Sequence, residues 1–251
     1  MSKRNIVIAV VAGLVVLAGV VWFFFIRSDA PPPASLEEAI ESVVDDTEAP
    51  SSSESADTTA APVTTSAPVS ADGLDGTWTV DQSNSFAGYR IGEELASIGT
   101  VEAVGRTSDV DASLTFAGSA VTDLTVTVDM TTLESDRSRR DGALASRGLE
   151  TDAFPTAVFV LTEPIELGNA PVEDEVFVAS AVGELTLHGV TNPITMELEG
   201  SLVEGTVVVV GSTEVTLTDY DIEAPTGFSV LTIEEFGTIE VQLAFVQPSP
   251  E

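Results

Sequence analysis

From residue 74 to the end of the chain, apolar and polar residues alternate in short runs, and this period of two leaves few architectures open. In "TVTVDM" the side chains of Val126, Val128 and Met130 fall on one face; in "ELTLHG" those of Leu185 and Leu187 do. "PITMELEG" aligns Ile194, Met196 and Leu198, and "IEVQLAF" aligns Ile239, Val241, Leu243 and Phe245. Alternation of this kind marks strands with one buried face. Turn-rich stretches such as "EPIELGNAPVEDE" separate the runs at short intervals, so the reading is an all-β sandwich or barrel of antiparallel strands. One stretch breaks the pattern: "SDRSRRDGALASRGLE" is expected as a short helical insertion that caps the sheet.

The N-terminal third obeys different rules. Residues 6–26, "IVIAVVAGLVVLAGVVWFFFI", carry no charge, and as a helix they would span roughly 31 Å, the thickness of a bilayer core. A signal peptide has a shorter apolar core and a small-x-small cleavage site; here the nearest, Ser28-Asp29-Ala30, runs into Pro31-Pro32-Pro33. An uncleaved single-pass anchor is therefore expected. Lys3 and Arg4 place residues 1–5 in the cytoplasm and the rest of the chain outside the cell membrane, although Arg27 reduces the asymmetry. Trp22 and the phenylalanines after it suit the outer interface.

Residues 27–73 are rich in Pro, Ser, Thr, Ala and acids, too poor in apolar surface to offset chain entropy, and are expected to form a disordered tether to a domain spanning 74–251. Within the tether, "SLEEAIESVVDD" has a capping box, Ser35 with Glu38, and Leu36, Ile40, Val43 and Val44 at helical spacing. A helix so short is marginal in water, so a fraying turn is expected rather than a partner-binding or membrane-surface helix.

Composition narrows the chemistry. A net charge of -32 repels phosphate backbones, which excludes nucleic acid as a partner. Without cysteine there is no disulfide framework, thiol nucleophile or thiolate metal site. The single histidine, His188, has no second nitrogen or sulfur ligand for zinc and no nucleophile-elbow sequence to form a triad. It sits instead in a hairpin: Gly189 permits a positive φ, Asn192 favours a turn and Pro193 starts the returning strand. Its ring is expected to bond the loop backbone. Asp219, Asp221 and Glu223 would point three carboxylates to one side of an extended segment, a calcium-like arrangement, but without the glycine and distal glutamate of an EF-hand loop they read as a solvated strand face. Among so many acids, a pair for glycoside hydrolysis carries no specific signal.

The basic residues are few and so say more. Beyond the anchor region there are Arg90, Arg106, Arg137, Arg139, Arg140 and Arg147, four of them within "RSRRDGALASR". They would either clamp an anion at a pocket mouth by forked hydrogen bonds or pair with nearby acids such as Glu134, Asp136 and Asp141.

Taken in order, "TWTVDQSNSFAGYRI", "AVGRTSDVDASLTFAGSAV", "RRDGALASRGLETDAFPTAVFVL", "GELTLHGVTNPITMELEG" and "YDIEAPTGFSVLTIEEFGTIEVQLAF" resemble the YceI family, the bacterial polyisoprenoid-binding domain, over about residues 74–247. That resemblance implies a lipocalin-like antiparallel β-barrel of about eight strands that encloses a long apolar chain, a polyisoprenoid or quinone, with no catalysis and no other cofactor. The family often carries a histidine two residues after its Arg-Asp pair; here Ala143 follows Arg140-Asp141-Gly142. Expected lining residues are Phe86, Phe116, Val128, Phe159, Leu185, Leu187, Met196 and Phe228, with Arg139 and Arg140 as head-group contacts. A filled barrel acting as an envelope scaffold or adhesion module, and a carbohydrate-active enzyme, are the competing readings. The oligomeric state stays open, a homodimer included.

Overall fold

The structure, a computed structural model, describes residues 30–48, 73–96, 99–226 and 230–248. Thirteen strands follow one another: β1 Gly76–Val80, β2 Phe86–Leu95, β3 Gly99–Thr107, β4 Val110–Ala117, β5 Ala120–Asp129, β6 Glu134–Ser135, β7 Thr156–Leu161, β8 Ile165–Glu166, β9 Val176–Leu187, β10 Val190–Val203, β11 Thr206–Thr216, β12 Val230–Ile233 and β13 Phe236–Val246. Eight of them close a ring, β1-β4-β5-β7-β9-β10-β11-β13, which returns to β1 through Thr79↔Val246 and Val80↔Phe245. Every pairing in the ring is antiparallel. This is the expected antiparallel barrel, and closure leaves no unpaired edge among the eight strands of the ring. The β2–β3 hairpin continues the sheet outside the ring from the mouth-side half of β13, Phe86 opposite Gln242 and Arg90 opposite Thr238.

Alternation decides what points inward. On β9 and β10 the residues Leu185, Leu187, Ile194, Met196 and Leu198 face the interior while Thr195 and Glu197 face solvent. At one end the interior is plugged: Trp78 is 1 % exposed, donates its indole N–H to the Leu74 carbonyl at 2.8 Å, and meets Phe116 edge-on with ring centroids 6.0 Å apart. Phe245 and Leu202 complete the plug. The other end carries the helical insertion, Ser138–Ala143, which widens into a turn of π-helix over Leu144–Gly148.

Three expectations change. Residues 30–48, assigned above to a disordered tether, are folded against the barrel. The helix Leu36–Glu48 begins with the Ser35 Oγ accepting from the Glu38 N–H at 3.4 Å and buries Leu36, Ala39 and Val43 against Val208, Val210 and Ala244 on the outer wall. A helix that is marginal alone is stabilised by tertiary contact once an apolar face receives it. Second, the turn before β10 has only two residues, His188 (φ +51) and Gly189 (φ +76); Asn192 and Pro193 already belong to the returning strand. β11 joins β10 only from Glu197 onward, so at Pro193 the strand is paired on one side only, where proline is tolerated. Third, Asp219 lies in the 3₁₀ turn Leu217–Tyr220 and Asp221 has φ +54, so the segment is not extended and its carboxylates do not alternate. Among the described residues no three acids or histidines are grouped to hold a metal ion.

The expected anchor, residues 6–26, and the stretch 49–72 lie outside the described residues. Among those that are described, no helix is long and apolar enough to cross a membrane.

Candidate functional site

A cavity of about 790 Å³ runs from the plug to the helical insertion, the size of site that encloses a mid-sized organic ligand. Its floor is Leu114, Phe116 and Phe245; its walls include Val128, Phe159, Leu185, Leu187 and Met196. Small residues make the space. Ala157, Ala179 and Ala181 line it, and a Cβ on Gly183 would stand 2.4 Å from the Phe159 ring and 2.5 Å from the Val160 carbonyl oxygen, so only glycine lets that ring lie flat across the wall.

Polar groups gather at the mouth. Arg137, Arg139, Arg140 and Arg147 of the insertion border the opening together with Tyr89 and Glu93 of β2. Arg140 is committed: its Nε and Nη2 donate to the two Glu93 oxygens at 3.0 Å each, and Nη1 donates to Asp136. Burial alone would lower the Arg140 pKa, yet these hydrogen bonds and charges raise it above its ordinary value. Burial pushes the Tyr89 hydroxyl well up despite Arg140 beside it, so Tyr89 enters the cavity wall as a neutral phenol. Arg137 pairs with Asp136 at 3.4 Å, while Arg139 and Arg147 are exposed and make no ion pair among the described residues.

The profile of the YceI-like domain matches residues 78–245. The chain belongs to the YceI-like domain family. Among solved structures, a polyisoprenoid binding domain from Saccharophagus degradans implicated in plant cell wall breakdown superposes with a TM-score of 0.57 at 17% identity, over 68% of this chain and 98% of that one. BcnA of Burkholderia cenocepacia does so with a TM-score of 0.51 at 16% identity, over 66% and 98%. At such identities the likeness establishes the fold. A UPF0312 protein of Vibrio parahaemolyticus is 34% identical over 107 residues, 39% of this chain and 51% of its own length. One of Photorhabdus laumondii is 31% identical over 119 residues, 46% and 56%. The chain thus spans about half the length of the relatives it matches.

Within this YceI-like barrel, the structure places Phe116, Val128, Phe159, Leu185, Leu187 and Met196 of the expected lining on the cavity surface. Phe228 lies outside the described residues. Phe86 is elsewhere: the inward positions of β2 are Ala87, Tyr89, Ile91, Glu93 and Leu95, so Phe86 has the wrong parity, and its ring lies 4.2 Å beneath the Arg106 guanidinium. Of the two expected head-group contacts, both border the mouth, but Arg140 is occupied by acids and Arg139 alone is open. Tyr89 and Glu93 were not among the expected site residues; both sit on the inward parity of "FAGYRIGEEL", which would have marked them.

His188 caps the hairpin of β9 and β10. Its Nδ1 donates to the Tyr220 carbonyl at 3.0 Å, which leaves Nε2, 3.1 Å from a Glu150 oxygen, to donate when the ring is protonated. The Phe154 ring packs edge-on at 4.4 Å. These contacts tie three loops together beside the cavity, and the ring does not line it.

Proposed function

We propose that this protein is a membrane-tethered, extracytoplasmic binding protein that encloses an isoprenoid or similar long apolar lipid, a polyisoprenoid or quinone, for transport, storage or sensing. The observation that carries the reading is the cavity itself. A barrel of this size can be filled by side chains, and here alanine, valine and glycine at inward positions leave an apolar space that is plugged at one end and open at the other. Burying tail surface there yields about 25 cal/mol per Å², so a few hundred Å² of isoprenoid binds without any charged contact. The Saccharophagus domain of the same fold, described as polyisoprenoid binding, supports the ligand class. Binding without turnover is the reading because the cavity wall is apolar and, at its rim, Arg140 and Arg137 are spent on Glu93 and Asp136, leaving no acid–base pair among the described residues aimed into the space.

Native mass spectrometry of the full-length protein, extracted gently from its own membranes, tests this. A mass increment that organic extraction removes, and that high-resolution analysis resolves into isoprene repeats, is the expected result. A protein that emerges without any adduct and takes up neither a C40 prenol nor menaquinone overturns it.

A further inference from the structure

Residues 30–48 do more than decorate the barrel. Arg90, 7 % exposed in its side chain, and Arg106 both donate through Nε to Glu240, at 2.8 Å each, and Glu240 is 2 % exposed. Arg90 Nη1 donates to Glu102 at 2.7 Å, and the two Nη2 atoms reach the incoming chain: that of Arg90 donates to the Pro31 carbonyl and that of Arg106 to the Pro32 carbonyl, both at 2.6 Å. The Ala34 N–H closes the set by donating to Glu240 at 3.2 Å. Two prolines that cannot donate thus present only acceptors to two arginines, and the acid between those arginines takes the first available N–H.

The direction of travel is fixed by strand register. β13 starts at the mouth, with Phe236 opposite Thr216, and ends at the plug, with Val246 opposite Thr79. Pro31 is held by Arg90, which lies opposite Thr238; Ala34 is held by Glu240; Leu36, Ala39 and Val43 pack on Ala244, Val208 and Val210. From Thr238 to Ala244 is about 20 Å along a strand, so Pro31 is held nearer the mouth and the helix packs nearer the plug. The described segment therefore begins on the mouth side of the helix it leads into.

We propose that this clasp holds the barrel with its cavity mouth towards the bilayer, so that an apolar ligand passes between membrane and cavity over a short path. The inference rests on the reading of residues 6–26 as a membrane anchor. Only residues 27–29 separate that run from Ala30, a reach of at most about 14 Å for extended chain. A free tether over all of 27–73 would instead spread over roughly 40 Å. Residues 49–72 then join the docked helix to β1, two parts of one body, and add nothing to the distance between barrel and membrane.

The test uses the full-length chain, which has no cysteine of its own, carrying a single one at Ser138→Cys beside the mouth or at Ala117→Cys beside the plug. Each is labelled with a fluorophore and reconstituted into phosphatidylcholine vesicles in which part of the lipid bears a head-group nitroxide. The mouth label should be quenched severalfold more than the plug label. Ala39→Asp, which places a charge in the fully buried helix contact, should erase the difference while the strand signal in far-ultraviolet circular dichroism stays native. Equal or reversed quenching in the parent, with the protein still floating on the vesicles, overturns the clasped orientation and leaves the anchor intact. Protein that fails to float overturns the anchor reading, and the orientation with it. A difference that survives Ala39→Asp, in a variant whose helix protease has shown to be released, overturns the clasp as its cause.

Discussion

Arg140 and Glu93 face each other across the cavity mouth as a fork, two parallel N–H···O bonds of 3.0 Å joining the helical insertion to β2. Their side chains are 11 % and 5 % exposed, so the pair is shielded from solvent and its geometry is bidentate. It latches the insertion to the sheet, and it takes out of play one of the two arginines that the sequence offered to a ligand head group.

Breaking this latch should be costly, whereas removing its exposed neighbour should not. Glu93→Gln leaves a largely buried guanidinium with Asp136 as its one charged partner among the described residues and should destabilise the domain by about 2 to 3 kcal/mol in urea unfolding. Arg139→Ala, lacking any ion partner among the described residues, should leave the midpoint where it was. Equal effects of the two variants would show that the insertion is not held by the fork.

The Glu240 carboxyl makes stability fall in acid. Burial alone would raise its pKa, but Arg106, Arg90 and the Ala34 N–H outweigh burial and hold it below the ordinary value. The folded state therefore resists protonation more than the unfolded chain does. Its contribution is complete above the unfolded glutamate pKa of about 4.3 and is lost as pH falls through the lower folded value. Urea midpoints measured from neutral pH downward should hold until that range and then drop, with a shallower drop in Glu240→Gln, which is already weakened at neutral pH. Parallel acid profiles for the two proteins would assign the loss to other carboxylates.

The inward faces were legible because strict alternation assigns a face to each residue: Val128, Leu185, Leu187 and Met196 each sit two positions from another apolar residue. Phe86 was misread for a local reason. "FAGYR" offers two aromatics three apart, hence on opposite faces of a strand, and what claims Phe86 for the outside is Arg106, on another strand. The docked helix failed differently. Taken alone, Leu36–Glu48 is marginal, and its receiving surface lies in Val208, Val210 and Ala244, more than 160 residues away. A signal for it existed in "TVVVVG": four consecutive valines cannot alternate with solvent, and a strand apolar on both faces must be covered on both.

His188 supports the hairpin at a position where the backbone selects the residue. At φ +51 asparagine is tolerated and β-branched residues are not. His188→Asn should keep the turn, lose the ring contacts to Tyr220 and Glu150, and cost about 1 kcal/mol. His188→Val should cost more, because it adds backbone strain of about 1 to 2 kcal/mol. Ligand retention should be unchanged in His188→Asn, since the ring does not line the cavity. Native mass spectrometry beside thermal unfolding separates these effects, and a fully stable His188→Asn that has lost its ligand would give the histidine a binding role.

Leu187→Trp distinguishes an occupied cavity from a solid core. Leu187 is 8 % exposed, pairs with Val190 across the hairpin and points into the cavity with Leu185 and Ile194. In a close-packed interior the added ring would force neighbours off their rotamers and cost about 1 to 3 kcal/mol. Against a void of about 790 Å³ the ring has room, and it gains apolar burial that offsets the strain. The variant should therefore fold with a urea midpoint close to the parent's and occupy the volume that a lipid tail needs, so that the bound lipid no longer co-purifies. A variant that loses stability in the overpacking range, made from a parent that carries no lipid, would show that the space closes in solution and that the barrel is not a carrier.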